Sequence, residues 1–269
     1  LLARYADEPR VRLLLCPENE PVTKRLNAAI AQSTGEFISI LYADDYYLPR
    51  KIERQLLAFS KLSPRYGVVY SPALRVDERG SRWEDETLRE SGDVLKVMLG
   101  NKHGVISPIS PLYRRECLTR MPFHEDVFME AEGIFYRLAI HYWFHFLDEP
   151  LTVARGHASK AGKAVKRNAA TSLVLIDKLL LEPGLPPEVH ADVEALRCAL
   201  LRTWGWIGIR VLNDPKWAQD CLFSALGRQP KQIFYARTVG GLALSLLSPR
   251  AIHRLNRAVN AALRKETPA

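Results

Sequence analysis

The chain has 269 residues, 47% hydrophobic and 25% charged, enough apolar material for a packed core. Its formal net charge of +8 suits anionic partners such as nucleotide diphosphates or an acidic membrane face. No helix-turn-helix, zinc-finger or aromatic–basic signature accompanies that charge, which argues against nucleic acid, and no run reaches the ~18 apolar residues of a spanning helix.

The sequence begins at Leu1 with neither a signal peptide nor an initiator Met, so the expectation is a cytoplasmic, N-terminally truncated chain. Residues 11–16 form a short apolar run that predicts a buried strand. Helix formers follow at residues 22–32, and Gly35 ends them. Residues 37–41 predict a second strand, which runs directly into Tyr42-Ala43-Asp44-Asp45. Pro49 opens a helix whose core face is expected to be Ile52, Leu56, Phe59 and Leu62. Residues 67–70 predict a third strand. Strand and helix alternating at this spacing imply an open, mostly parallel sheet with helices on its faces.

Residues 74–90 turn polar, with a hairpin or loop signal at Asp77-Glu78-Arg79-Gly80. A short helix at 94–99, an extended segment at 105–113, a helix at 129–142 and strands at 143–147 and 151–154 complete the α/β part. Beyond Gly162 the pattern is helical almost throughout. The expected division is therefore an α/β domain at 1–162 and an all-helical region at 163–269. The cysteines, Cys16, Cys117, Cys198 and Cys221, lack metal-ligand spacing and suit isolated thiols in a reducing compartment.

Asp44 and Asp45 stand just past the C-terminal end of a predicted strand, the edge where open α/β sheets bind ligands. Paired carboxylates there suit Mg²⁺ or Mn²⁺, hard cations that share oxygen ligands with phosphates. The same pair also suits a turn that caps the helix beginning near Pro49.

Neighbouring motifs extend this pattern. Asn27-Ala28-Ala29-Ile30, Gly35-Glu36-Phe37-Ile38, Ala43-Asp44-Asp45 and Pro49 with Lys51-Ile52-Glu53-Arg54-Gln55 together resemble family 2 inverting glycosyltransferases of the A-type nucleotide-sugar fold. The resemblance implies a chain lacking the family's first strands. It implies that Asp44, with Asp45, holds the Mg²⁺ or Mn²⁺ that bridges a nucleotide-sugar donor's diphosphate. Arg25 and Asn27 would lie on the nucleotide side. Tyr42 departs from the pattern, because many members have an Asp there.

The resemblance extends to two later stretches. One is His124-Glu125-Asp126-Val127-Phe128-Met129-Glu130-Ala131-Glu132, ahead of Arg137-Leu138-Ala139. It implies a carboxylate general base, with Glu132 preferred, Glu130 next, and Glu125 or Asp126 after them. A sugar or lipid hydroxyl is a poor nucleophile, and such a group takes its proton as the new bond forms. The other is Glu149-Pro150-Leu151 leading to Arg155-Gly156-His157. Here Arg155 would neutralise phosphate oxygens, and His157 would complete the metal shell or touch the diphosphate.

The expected activity is metal-dependent transfer of a sugar, with inversion, to a saccharide, lipid or protein hydroxyl. A non-catalytic binder on the same fold and a metal-dependent nucleotidyltransferase compete with it. The tail carries Ile233, Ala236, Val239, Leu242, Ala243, Leu246 and Leu247, followed by Arg250, Arg254, Arg257 and Arg264. Such a basic amphipathic stretch suits packing on the catalytic part, a dimer contact, or peripheral contact with an anionic membrane.

Overall fold

A computed structural model describes residues 5, 7–16, 18, 20–100, 106–127, 130, 133–156 and 161–266, without the side chains of 161–164 and 261–266. Helix α1 (Val22–Gln32) leads into β1 (Phe37–Ser39), and β2 (Tyr46–Tyr47) and α2 (Lys51–Phe59) follow the acidic turn. Next come β3 (Tyr66–Tyr70), β4 (Ala73–Val76), β5 (Arg82–Glu84), α3 (Leu95–Leu99), β6 (Leu112–Arg114) and α4 (Arg115–Arg120). Helix α5 (Gly133–His141) and strands β7 (Trp143–Phe146) and β8 (Thr152–Arg155) complete the α/β part.

The strands form two four-stranded sheets, ordered β1-β6-β3-β7 and β2-β8-β4-β5. In the first, β3 and β7 pair parallel, and β6 is antiparallel to both β1 and β3. Three of its four strands therefore run one way, and β6 interrupts an otherwise parallel layer. In the second sheet β8 pairs parallel with β4 and antiparallel with β2. The hairpin signal at 77–80 is the β4–β5 turn. There Asp77 accepts from the backbone N–H groups of Arg79 and Ser81, and Gly80 takes φ +84°.

Two expectations fail locally. Residues 11–16 form no strand, and Leu15 is 77% exposed. A ladder partner is what turns an apolar run into a strand, and among the described residues β1 pairs only with β6. Helix α2 is rotated from its expected face. Ile52 and Leu56 are exposed, whereas Lys51, Gln55, Ala58 and Phe59 are buried.

The C-terminal region is helical: α6 (Ala161–Leu180), α7 (His190–Ile207), α8 (Pro215–Arg228), α9 (Ala236–Ser245) and α10 (Pro249–Glu266). A π turn at Gly208–Leu212 follows α7, and Asn213 beyond it takes a left-handed conformation. Asp214 then caps α8 by accepting from the N–H of Trp217 at 3.1 Å. Ile176, Leu179, Val193 and Leu196 join one hydrophobic cluster with Val68, Tyr113, Leu138 and Phe144. Helices α6 and α7 thus complete the core beneath the sheet, where each fully buried aliphatic side chain contributes about 1.5–3 kcal/mol. Among the described residues no helix is long and apolar enough to cross a membrane. Cys117, Cys198 and Cys221 are buried free thiols, and Cys16 is half-buried.

Candidate active site

Strand β1 delivers the chain to a turn in which the N–H of Asp45 donates to the carbonyl of Tyr42 at 3.2 Å. Asp44 is exposed at the tip, and Asp45 is half-buried behind it. Strand β2 then pairs with β8, Tyr46 opposite Val153, and the N–H of Leu48 donates to Leu151 at 2.9 Å. This pairing brings the third motif to the first. The backbone N–H of Arg155 donates to Asp45 Oδ1 at 2.9 Å across 110 positions of sequence. The Arg155 guanidinium sits 5.3 Å from the centre of the Tyr46 ring.

A buried polar network closes the neck of this turn. The hydroxyls of Ser39 and Tyr47, one on each side of the turn, lie 2.8 Å apart. Lys51 Nζ donates to Ser39 Oγ at 2.9 Å and to Gln55 Oε1 at 2.7 Å, and it lies 4.3 Å from the Tyr47 ring centre. The Gln55 amide donates to the carbonyls of Val69 and Ser110 at 3.0 and 2.8 Å. Every hydrogen-bonding group of Gln55 is thereby engaged. Burial pushes the Lys51 amine down from 10.5 to about 7. Sequence reasoning missed this pair. The available signal was a Lys and a Gln four residues apart, a spacing that places both on one helix face.

The second acidic stretch divides. Glu130 is fully buried: Oε1 accepts from Arg137 at 3.0 Å, and Oε2 accepts from the His124 N–H at 2.5 Å. Arg137 also donates to Glu182 at 2.8 Å and to the Pro122 carbonyl at 3.0 Å. Glu130 lines a cavity of only 10 Å³ with Thr23, Tyr42 and Tyr113, about enough space for one water. Both Glu130 oxygens are thus engaged by protein donors, and the residue anchors Arg137 and the His124 backbone. Asp126 pairs with Lys178 at 2.8 Å. Glu125 accepts from Asn27 at 2.9 Å. Glu132 and His157 lie outside the described residues.

Asn27 is a clasp between α1 and the acidic stretch. Its amide also donates to the Phe123 carbonyl at 2.8 Å, and its Oδ1 accepts from the Phe123 N–H at 2.9 Å. Arg25 pairs with Glu20. Both side chains thus have protein partners in this structure.

Residues 1–121 match the family model described as glycosyl transferase family 2. That match covers 121 of the 269 residues and includes the acidic turn. The chain is 27% identical over 179 residues to an uncharacterized glycosyltransferase of Rickettsia felis, covering 61% of this chain and 28% of that protein. It is 34% identical over 80 residues to the putative glycosyltransferase EpsE of Bacillus subtilis, covering 30% of this chain and 28% of that one. The chain therefore spans little more than a quarter of these curated relatives.

Solved structures show the same fold. S. aureus TarS, in complex with UDP-GlcNAc, superposes with a TM-score of 0.58 at 14% identity, covering 96% of this chain and 78% of that chain. The mannosyltransferase PcManGT of Pyrobaculum calidifontis, in complex with GDP-Man and Mn²⁺, gives 0.52 at 17% identity, covering 95% and 72%. Both likenesses extend well beyond the family-matched residues, into the helical region.

Against the family pattern, Tyr42 is the main departure at the acidic turn. Its side chain packs against the core, and burial, with Asp45 nearby, pushes the phenol's pKa up. The neutral phenol it remains is a poor substitute for a carboxylate ligand. Among the described residues no three His, Cys, Asp or Glu converge as a metal site. The carboxylates present are Asp44 at the exposed tip and Asp45 beside it. Two such oxygen donors fit Mg²⁺ or Mn²⁺, which keep waters and fill their shells with substrate phosphate.

Proposed function

We propose that this chain transfers a sugar, with inversion, from a nucleoside diphosphate donor to a hydroxyl acceptor, using Mg²⁺ or Mn²⁺. The observation that carries the reading is the hydrogen bond from Arg155 to Asp45. It joins two motifs, distant in sequence, at the rim where β1 ends. The UDP-GlcNAc and GDP-Man bound by the solved relatives support a nucleotide-sugar donor.

In this reading Asp44 and Asp45 hold the cation, which supplies charge to offset the departing diphosphate. The Arg155 guanidinium adds a second positive group beside it. Asp45 also bonds to strand β8, so it orients the turn as well as contributing charge. Glu132 takes the acceptor's proton, and the buried Glu130–Arg137 pair fixes the segment that precedes it. His157 would complete the metal shell or touch the diphosphate. The acceptor is a saccharide, lipid or protein hydroxyl.

The inward packing of Tyr42 favours a second reading, donor binding without transfer. Calorimetry with UDP- and GDP-sugars, with and without Mn²⁺, separates the two when combined with a transfer assay. Removing Mn²⁺ or introducing Asp44→Ala is expected to weaken donor binding at least about tenfold. Glu132→Gln is expected to lower turnover about 100-fold or more while leaving donor affinity intact. Binding indifferent to both the metal and Asp44 would overturn the enzyme reading. Full turnover in Glu132→Gln would move the base elsewhere.

A further inference from the structure

Helix α9 is built inside out. Its buried residues are Thr238, Gly241 and Ser245, which face α7 and α8. A Cβ on Gly241 would come within 2.8 Å of Leu222, so the contact requires this small face. The opposite side carries Val239 and Ala243, both exposed, and continues to Tyr235 before the helix and Leu246 after it. Positions 235, 239, 243 and 246 repeat at helical spacing and form one stripe. Leu246 is 82% exposed, and Phe234, beside Tyr235, is 88% exposed. Exposed aliphatic and aromatic groups concentrated on one helix indicate a missing partner.

Charge identifies that partner. Between Cys221 and Lys265 the sequence contains no Asp or Glu. Over the same stretch Lys231, Arg237, Arg250, Arg254 and Arg257 are exposed, and Arg228 pairs with Glu194 of α7. A second copy docked through this face would bring two cationic segments together, neither of which carries an acid of its own. A nucleic acid would match the cations and leave the aliphatic stripe unused. An anionic bilayer satisfies both features, because headgroups meet the arginines while Val239, Leu246 and Phe234 enter the boundary of the acyl region.

We propose that the outward face of α9, with the exposed arginines and Lys231 of the same acid-free segment, docks on an anionic lipid surface. The contact is peripheral, since no described helix is able to span. Asn256 orients the neighbouring α10 for it. This buried side chain donates to the Ile209 carbonyl at 2.7 Å and accepts from Arg210 at 2.6 Å, holding α10 against the π turn.

The test is co-sedimentation of the whole chain with sucrose-loaded vesicles, of phosphatidylcholine alone or with a third phosphatidylglycerol. Partitioning is expected to be at least about tenfold stronger on the anionic vesicles and to collapse at high salt. Phe234→Ser combined with Leu246→Ser is expected to weaken it about tenfold or more. Each of Arg237→Gln, Arg250→Gln and Arg254→Gln is expected to weaken it about fivefold. All five sites are exposed, and a thermal melt checks that the fold is retained. Equal partitioning on neutral and anionic vesicles, or none on either, would overturn the proposal. So would a dimer in sedimentation equilibrium that Leu246→Ser dissociates without any vesicle binding, which would assign the face to a second copy.

Discussion

Helices α2 and α9 both turn polar side chains inward and leave aliphatic ones outside, and they do so for opposite reasons. In α2 the inward Lys51 and Gln55 meet a full set of partners, the hydroxyl of Ser39 and the carbonyls of Val69 and Ser110. The inversion there is driven from within, because the neck of the acidic turn needs a buried brace. In α9 the inward groups are small, and the hydroxyl of Thr238 has no hydrogen-bond partner. That inversion answers to something outside the helix. In α2 the buried polar groups brace the acidic turn, whereas in α9 the buried groups serve close packing.

Substitutions at the two helices put this contrast at risk. The largest effect is expected for Gln55→Ala, which removes one acceptor from the buried Lys51 amine and the side-chain donor from two backbone carbonyls. The unfolding free energy should fall by about 3 kcal/mol in urea titrations, and sugar transfer should fall with it as the acidic turn loosens. A loss under about 1 kcal/mol would mean that the network does not hold the turn.

The next largest effect is a pH dependence that belongs to Lys51. Its folded-state value of about 7 lies below the 10.5 it has when exposed to water. Between those values the unfolded chain binds the extra proton, so stability rises with pH from about 7 to 10 and levels off below 7. The expected rise is on the order of 3 kcal/mol. Lys51→Met should flatten it, as read from urea midpoints of the two proteins at pH 6.5, 8 and 9.5. Parallel curves would show that Lys51 stays charged throughout.

The smallest effect is expected at Thr238→Val, which replaces an unpartnered hydroxyl with a methyl of similar size. Stability should change by less than about 0.5 kcal/mol, or increase slightly. A loss above about 1.5 kcal/mol in thermal melts would show that α9 is held by polar contacts after all.

Most of the fold was legible in the residues. Helix α1 lies at its predicted positions, and β3, β7 and β8 fall within a residue or two of theirs. Hydrophobic period and turn residues decide such elements locally. The apolar run at 11–16 was misjudged because a strand requires a partner, and partners are not local. The face of α2 was misjudged because Ile52 and Leu56 look like core residues until Lys51 and Gln55 find acceptors on three other segments. At the site, the position of Asp44 and Asp45 at a strand end was readable from spacing. The commitment of Glu130 to Arg137 was not, since both residues belong to an acidic and basic stretch with many possible pairings. Nor was the clasp of Asn27 on Phe123, which closes across 96 positions.

Arg137 reaches two carboxylates that arrive from opposite directions, Glu130 ahead of α5 and Glu182 beyond the end of α6. The guanidinium is a rivet between the α/β half and the helices that follow it. A domain shuffled away from those helices would keep Glu130 but lose the second anion and the apolar lid beneath it. The two halves are therefore tied through one side chain, and a disturbance at Glu182 reaches Glu130 through it.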